Sequence, residues 1–316
     1  MTPAAPSVTV LIACFNVAPY LEATLESVRA QRFADFEVLM VDDGSTDGTA
    51  EVMKRFAAED LRFKPILLPS NQGVVAARNA ALAVARGTYV APLDGDDCWT
   101  PDALAFRLKL AERHPTANVI ATEFAWFETA VPLPPYVGRV GLGPRARRAF
   151  ASCYDSGNEV LLADPFELVA TLHFAWTGAM LIRRDAITAV GNFDPAFSGP
   201  EDTLLWLKLA LHGAFVFSPT VTAFYRQRPG SLVTTFRGPK ELHYLKVLDE
   251  IKKCLSSKTH KRAVLRLAGE CHYIASLYHR RTGNRAMSRR HALAAVTNTS
   301  GQMGYWKNLL ASLIAA

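Results

Sequence analysis

The chain has 316 residues, half of them apolar and a fifth charged. It is therefore long enough for a large α/β domain with an appendage, and its composition excludes a disordered protein. No apolar run approaches the eighteen or so residues of a membrane-spanning helix, and the first seven residues lack the basic segment of a signal peptide.

Charge divides the chain into two parts. Residues 241–316 contain thirteen Lys or Arg and four acidic residues, whereas the first 240 contain 22 basic and 25 acidic ones. This split predicts a weakly acidic catalytic body followed by a basic helical region. The five cysteines are scattered and form no C-x-x-C pair, which indicates reduced thiols in a cytoplasmic protein and not a disulfide framework or a zinc site.

Strand and helix signals alternate through the first hundred residues. Apolar, β-branched runs predict strands at 8–13, 36–41, 63–68 and 88–93. The intervening segments predict helices at 16–29, from a cap at Ser45 or Asp47 to about residue 58, and from the turn at 71–73 to Gly87. This alternation predicts an α/β fold with right-handed crossovers and a mainly parallel central sheet.

The second half of the chain is less regular. Helices are predicted at 104–113 and 201–212, and strands at 118–123, 179–182 and 220–225. Residues 130–158 contain Pro, Gly and a basic cluster, which predicts a long loop. From about residue 241 the pattern is helical.

An acidic segment, Asp94-Gly95-Asp96-Asp97, directly follows the fourth predicted strand. In parallel sheets, ligands bind outside the carboxyl ends of the strands. Closely spaced carboxylates repel one another unless a cation or a proton lies between them, so this segment indicates a divalent metal, Mn²⁺ or Mg²⁺. The alternative is a solvated acidic turn. An EF-hand is excluded because its later ligand positions would fall on Cys98 and Ala105.

Three further groups could take part in chemistry. Asp42 and Asp43 close the second strand, where a carboxylate could accept the N3–H of uracil or thymine or could simply cap a turn. Glu201 and Asp202 open a helix, where acids suit the helix dipole but could also act as a general base. Two arginines, Arg226 and Arg228, follow a predicted strand and could clamp phosphates or remain solvated.

Taken in order, several motifs resemble the family 2 glycosyltransferases of the GT-A fold, and the match extends over about residues 7–231. The motifs are Val10-Leu11-Ile12-Ala13-Cys14-Phe15-Asn16, Val41-Asp42-Asp43-Gly44-Ser45-Thr46-Asp47, Asn71-Gln72-Gly73 with Ala77-Arg78-Asn79, Leu93-Asp94-Gly95-Asp96-Asp97, Val190-Gly191-Asn192-Phe193-Asp194 and Glu201-Asp202.

This resemblance implies an inverting, metal-dependent transfer of a sugar from a nucleotide diphosphate sugar, most commonly UDP-linked in the family, to a hydroxyl of a glycan or lipid-linked acceptor in cell-envelope polysaccharide synthesis. It implies a catalytic domain at 1–235, with a nucleotide-binding half at 1–100 and an acceptor half at 101–235. The last 75 or so residues fall outside the resemblance, and their charge and helical pattern predict a basic helical region at 236–316.

The resemblance also assigns roles to individual residues. Nucleotide-binding residues would be Phe15, Asn16, Asp42 or Asp43, Gly73, Arg78 and Asp94. Arg226 and Arg228 are added to them as candidates for the diphosphate because of their place after a predicted strand. Asp96, with Asp94, would bind the metal, and Asp202 would be the catalytic base with Glu201 beside it. The chain departs from the family at Phe15, where Tyr is common, and it lacks the Q-x-x-R-W motif of processive members. The second departure predicts one sugar per encounter and not polymerisation.

Two rival functions remain open on the sequence. One is a nucleotide-sugar sensor without catalytic activity, against which the complete acidic motifs argue. The other is a sugar nucleotidyltransferase, which usually has an early Gly-rich basic phosphate loop that is missing from residues 8–20. A dinucleotide-dependent oxidoreductase is a poorer match still, because G-x-G-x-x-G is absent.

The C-terminal region combines basic residues with apolar and aromatic ones between 246 and 290. The simplest interpretation is a set of packed helices with solvated faces. The alternative is a peripheral contact with anionic lipid on the inner face of the membrane, to which residues 306–314 would add a shallow apolar contact. Nucleic acid is not an expected partner.

Overall fold

The computed structural model describes residues 5–127, 141–197, 199–228, 238–299 and 302–314. They form two compact units, the first made of residues 1–196 and 209–229 and the second of residues 197–208 and 230–316. The predicted border at 235 and 236 lies outside the described residues and stays a prediction.

A single mixed sheet of nine strands occupies the described part of the first unit, in the order β3-β2-β1-β4-β8-β6-β9-β5, with β7 also paired to β9. The strands are β1 Val8–Cys14, β2 Phe36–Asp42, β3 Phe63–Leu67, β4 Tyr89–Asp94, β5 Cys98–Trp99, β6 Ala117–Phe127, β7 Val160–Leu162, β8 Met180–Arg183 and β9 Ala214–Arg226.

The helices that accompany these strands are α1 Ala18–Arg29, α2 Thr49–Glu59, α3 Val74–Val84, α4 Ala103–Arg113, α5 Pro144–Ala149, α6 Ala151–Ser156, α7 Phe166–Leu172 and α8 Arg184–Ala189. Helix α9, Glu201–His212, contains the border between the two units. The second unit continues with α10 Lys240–Lys252, α11 Lys258–Arg281, α12 Arg285–Asn298 and α13 Met303–Ile314. None of the helices in the described part of the chain is both long and apolar enough to cross a membrane.

The first four strands pair in parallel, as the alternation of strands and helices predicts. Strand β1 lies between β2 and β4, and every residue of β2 is buried because helices cover both faces of the sheet. The register places Cys14 opposite Asp42 and Ala13 opposite Asp94. The two predicted acidic segments therefore leave the sheet at the same edge. The fold is the predicted α/β fold, with a mainly parallel sheet and a C-terminal helical region.

Short antiparallel pairings complete the sheet and position the acidic turn. After Asp97 the chain forms β5, in which Cys98 pairs with Phe224 and Trp99 with Ala223 of β9. The long parallel pairing of β6 with β9 ends at Phe127 and Arg226. The end of β9 is thus held beside the acidic turn that follows β4.

A buried arginine ties these elements together. The Arg107 side chain on α4 donates to the Thr222 hydroxyl on β9 and to the Gly178 carbonyl, and it lies 4.9 Å from the centre of the Trp99 ring. Burial lowers the pKa of Arg107 to about 9. The guanidinium has no carboxylate partner in any described residue, so its charge is stabilised by neutral acceptors and by the indole face.

Two local predictions are wrong. The predicted loop at 130–158 contains helices α5 and α6, and its residues 128–140 lie outside the described part of the structure. Both helices are only six residues long, too short for a helical hydrophobic period. At α2 the N-cap is Gly48, and Ser45 accepts a hydrogen bond from the Asn16 amide instead of capping the helix. Asp47, the residue before the cap, does accept from the Thr49 amide at the helix start, so that half of the prediction is right in its contact although not in its cap position.

Candidate active site

The loop after β1 is fixed by polar side chains from the loop after β2. Asn16 has a positive φ of 52°, a conformation that asparagine tolerates better than most residues. Its amide donates to the Ser45 hydroxyl at 2.9 Å, and its side-chain oxygen accepts from the Thr46 amide at 2.9 Å. Phe15, beside it, is 44% exposed. The loop therefore presents an aromatic face on a backbone that is already ordered.

The adjacent acids of the β2 end have different environments. Asp42 accepts a hydrogen bond from the Ser45 amide. Asp43 accepts from the Gln72 and Gly73 amides, one on each carboxylate oxygen and both at 2.8 Å. Both aspartates are almost fully buried. Asp43 thus fixes the turn that opens α3, a role that the sequence did not indicate.

Gly73 and Arg78 connect that turn to the acidic turn. Gly73 has φ +90° and ψ 160°, which glycine adopts without strain, and the direction of its missing Cβ is open space. One turn along α3, Arg78 is 4% exposed and donates to Asp94 at 2.9 Å. Its guanidinium also lies 5.2 Å from the centre of the Phe193 ring. Arg78 is therefore a buried neighbour of the acids and not a surface charge.

The turn of residues 94–97 is tightly packed beneath the acids. A Cβ on Gly95 would lie 2.8 Å from the Cys14 sulfur, so only glycine fits there. The Asp97 amide donates to the Asp94 carbonyl, and Asp97 itself is fully buried. Asp94 and Asp96 remain partly accessible, with side chains 34% and 17% exposed. The turn thus offers two carboxylates to solvent above a third that is buried.

Two arginines at the end of β9 reach this turn. The Arg226 amide donates to the Asp97 carboxylate at 2.8 Å, and its guanidinium donates to the Asp96 carbonyl at 2.7 Å. Arg228 donates to the Asp96 carboxylate at 2.6 Å. Both guanidinium groups lie within 5.2 Å of the centre of the Tyr20 ring. Arg226 is buried and so supports the turn, whereas Arg228 is the more exposed of the two cations.

The charges of this site are seen in three pKa shifts. Burial, followed by the charges of Asp42, Asp96, Asp94 and Asp47, raises the pKa of the Cys14 thiol well above its usual value. Burial and the neighbouring charges of Asp96 and Asp94 do the same to the pKa of Asp97. The pKa of Tyr225 rises to about 12 because it is buried and lies near Asp97 and Asp96. A concentration of negative potential therefore lies at this edge of the sheet.

The residues of the turn fit a hard divalent cation. They supply oxygen ligands, and the buried Oδ2 of Asp97 accepts no hydrogen bond from any described residue. Within the described ranges, no three Asp, Glu, His or Cys side chains are close enough to form a complete metal site. A cation here would need further ligands from a substrate, which is usual for Mg²⁺ bound with phosphates. A cation on Oδ2 of Asp96 would also compete with Arg228.

An aromatic surface borders the acidic turn. The Tyr225 ring contacts the rings of Trp126 and Trp176 edge-on, with centroids 4.7 and 5.3 Å apart. Trp176 also stacks on Phe124. All but Phe124 are partly exposed. Apolar ring faces beside polar groups are suited to binding a sugar ring, and the separation of these residues along the chain hid this group from sequence reasoning.

Glu201 and Asp202 belong to the second compact unit. They form the first turn of α9, as predicted, and both are partly exposed. The Asp202 Oδ1 atom accepts from the Thr203 amide at 2.6 Å. This contact is a local bond at a helix start, so their catalytic roles remain predictions.

The remaining predicted residues lie around one edge of the sheet. They come from the ends of β1, β2, β4 and β9 and from the start of α3. Sequence reasoning missed Tyr20, which supports both arginines, and the separate role of Asp97. Tyr20 is indistinguishable in sequence from the core positions of an amphipathic helix, whereas Asp97, the third acid of the segment 94–97, was a visible signal.

Replacing Asp43 by asparagine tests whether its carboxylate fixes the turn at residues 71–73. The amide keeps one acceptor but places an NH₂ group against a backbone N–H, so we expect the turn to lose order and nucleotide affinity to fall. Hydrogen bonds to charged groups contribute about 1.5–3 kcal/mol each, and the free energy of unfolding should decrease by about that amount. Urea unfolding and nucleotide titration measure the two effects.

The matched control for that variant is Asp35→Asn. Asp35 also accepts an amide and a hydroxyl hydrogen bond, both from Ser7, but it is exposed. We expect it to change the unfolding free energy by less than about 1 kcal/mol and nucleotide affinity not at all. Equal effects of both substitutions on nucleotide affinity would contradict the role of Asp43.

Comparison with known proteins finds a family model and curated relatives that agree. A family model described as glycosyl transferase family 2 matches residues 9–190, more than half of the chain. The putative teichuronic acid biosynthesis glycosyltransferase TuaG of Bacillus subtilis is 40% identical over 109 residues, which are 34% of this chain and 43% of that protein. The chain spans less than half the length of the curated relatives it matches.

Solved structures share the fold at low sequence identity. TarS 1–349 of S. aureus, in complex with UDP-GlcNAc, has a TM-score of 0.69 at 18% identity, covering 97% of this chain and 89% of that chain. Mannosyltransferase PcManGT from Pyrobaculum calidifontis, in complex with GDP-Man and Mn²⁺, has a TM-score of 0.61 at 20% identity, covering 98% of this chain and 80% of that chain. At these identities the likeness shows the GT-A fold alone.

Proposed function

The chain belongs to glycosyl transferase family 2, and from this premise we propose that it transfers a sugar from a nucleotide diphosphate sugar to a hydroxyl acceptor. The observation that carries the proposal is the cluster of Asp94, Asp96 and Asp97 at the carboxyl end of β4, enclosed by arginines from α3 and β9. Such a site can hold a phosphate-bound cation and neutralise a leaving diphosphate.

We assign the nucleotide to the edge formed by the first two strand ends. Phe15 and Asn16 would contact the base or the ribose, and Asp42 would accept a base N–H. Asp43 would act through the turn that it fixes, so that Gly73 lets the backbone approach the donor closely. This division of roles follows from the hydrogen bonds that already occupy both oxygens of Asp43.

The metal assignment is Asp96 with Asp94, and the proposed ion is Mn²⁺ or Mg²⁺. When bound, such an ion supplies electrostatic stabilisation of the negative charge that develops on the leaving diphosphate. Arg226 would hold the turn in place through Asp97 and the Asp96 carbonyl. Arg228, the more exposed cation, would exchange Asp96 for a phosphate oxygen. Arg78 would keep Asp94 oriented.

The transfer itself is proposed as a single displacement. The acceptor oxygen forms a bond to the anomeric carbon while the bond from that carbon to the diphosphate oxygen breaks. Asp202 takes the acceptor proton, with Glu201 as its neighbour, and the nucleoside diphosphate leaves with the bonding electron pair. Attack from the opposite face inverts the anomeric configuration. A positioned base of this kind contributes about 10²–10⁴ in rate.

The substrate class and setting follow from the relatives and the site. We propose a UDP-linked donor and a glycan or lipid-linked acceptor in cell-envelope polysaccharide synthesis, in keeping with the name of the B. subtilis relative. The aromatic surface of Trp126, Trp176 and Tyr225 would receive the acceptor. We also propose residues 1–235 as the catalytic domain and, from the five free thiols, a cytoplasmic location.

A thermal-shift screen of nucleoside diphosphates with Mn²⁺ tests donor binding. A ligand at a hundredfold excess over its Kd should raise the midpoint by about 5–10 °C, because it binds only the folded state. We expect UDP to give the largest shift and EDTA to reduce it. No shift with UDP, GDP or TDP would contradict the proposal.

A further inference from the structure

The buried side of helix α13 mixes polar residues with Tyr305 and Leu309, which belong to a small apolar cluster. Asn308 and Ser312 are 5% and 4% exposed, together with the buried ring of Tyr305. The apolar residues Met303, Trp306, Leu310 and Leu313 are 72, 46, 55 and 56% exposed. Their spacing of three and four residues places them on one side of the helix. An ordinary surface helix turns most of its large apolar residues to the core, whereas these four face outward.

Specific contacts within the second unit fix this orientation. The side-chain amide of Asn308 donates to the Ser276 hydroxyl on α11 at 3.0 Å. The Arg289 guanidinium on α12 donates to the backbone carbonyl of Ser312 at 2.9 Å. The Tyr305 ring stacks on Tyr273 with centroids 4.9 Å apart. The side of α13 that carries Tyr305, Asn308 and Ser312 therefore packs on α11 and α12. The side that carries Met303, Trp306, Leu310 and Leu313 is exposed.

The segment that ends in α13 carries charge of one sign. Residues 271–316 contain no Asp or Glu. They contain six basic residues, all exposed: Arg280, Arg281, Arg285, Arg289, Arg290 and Lys307. Lys307 lies beside Trp306, and its long aliphatic stem can extend along an apolar layer while its ammonium group stays in water.

We propose that α13 lies in the surface of an anionic lipid bilayer, with Met303, Trp306, Leu310 and Leu313 inserted between the headgroups. An exposed apolar stripe with tryptophan, in a segment whose Asp, Glu, Lys and Arg positions are all basic, is what an interfacial helix presents to anionic lipid. At twelve residues, about 18 Å, the helix can lie in the surface but cannot span the bilayer. Lipid binding by α13 does not depend on the proposed sugar transfer.

A second copy of the chain is the less suitable occupant. Pairing two copies through this stripe would bring two sets of six cations together without an acidic residue from this segment to balance them. Anionic lipid supplies that balance, at about a fivefold gain in affinity for each basic residue near the surface.

Vesicle sedimentation of the full chain tests the proposal. We expect binding to phosphatidylcholine vesicles that contain phosphatidylglycerol, little binding to phosphatidylcholine alone, and release as salt is raised. Trp306→Ser with Leu310→Ser should weaken binding at least tenfold. Leu61→Ser, at a 91% exposed leucine of the first unit, is the matched apolar control and should have no effect.

Two double variants, each of which removes two positive charges, test whether the basic residues of the second unit contribute to lipid binding. Arg285→Gln with Arg290→Gln should weaken binding about 25-fold, whereas Lys54→Gln with Lys109→Gln in the first unit should leave it unchanged. Circular dichroism checks that each variant is folded. Equal binding to neutral vesicles, or none to anionic vesicles at low salt, would overturn the proposal. A dimer that dissociates in the Trp306 and Leu310 variant without lipid would instead assign the stripe to a second copy.

Discussion

Replacing Asp96 by alanine is expected to reduce sugar transfer at least a thousandfold while the protein stays folded. The substitution removes the carboxylate assigned to the metal and leaves the positive charge of Arg228 without its partner. Electrostatic groups that act on developing charge contribute about 10²–10³ each, and here the metal is lost as well. Transfer assays over a range of Mn²⁺ concentrations measure the effect.

The control is a second aspartate–arginine pair. Asp102 accepts two hydrogen bonds from Arg32, but both side chains are exposed and far more solvated. Asp102→Ala should leave the rate unchanged and alter stability by less than about 1 kcal/mol, as is usual for an exposed pair. Full activity of Asp96→Ala, or of the unmodified chain in excess EDTA, would refute the metal assignment.

A large decrease in kcat is also expected when Asp202 is replaced. Asp202→Asn should lower kcat by about 10²–10⁴ and leave the donor Kd unchanged, because asparagine keeps the shape but cannot take the acceptor proton. Its side-chain oxygen can still accept from the Thr203 amide, so the start of α9 is preserved. Single-turnover kinetics and donor titration separate the two quantities.

Asp185→Asn is the matched control because Asp185 also starts a helix and accepts from the next amide, that of Ala186. It should retain normal kcat. Glu201→Gln distinguishes the neighbouring acids. If that variant loses turnover and Asp202→Asn does not, Glu201 is the base.

Much of the first unit could be predicted from the sequence because local patterns and the fold agree there. The apolar runs that form β1 to β4 are bounded by turn residues, and parallel pairing then brings Asp42 and Asp94 to one edge. Helix α9 has its predicted bounds because Gly199 and Pro200 precede a clear acidic first turn. These features depend on neighbours in sequence.

The features that were not predicted depend on residues distant in sequence. Arg107 reads as a polar position on α4, yet its partners Gly178 and Thr222 lie far along the chain. The contacts of Asp43 likewise depend on where the turn at 71–73 is placed by the sheet. In α13 the sequence shows two distinct sides but not which one faces the protein, since that choice rests on contacts with Ser276 and Arg289.

The central claim is tested most directly by NMR of a panel of nucleotide diphosphate sugars incubated with the chain, Mg²⁺ and candidate acceptor glycans. We expect one donor, a UDP-sugar, to be consumed with equal formation of UDP and of a glycoside of inverted anomeric configuration, and EDTA to stop the reaction. Retained configuration, or an equal rate in EDTA, would contradict the account. Donor binding without turnover would identify the chain as an inactive nucleotide-sugar-binding protein.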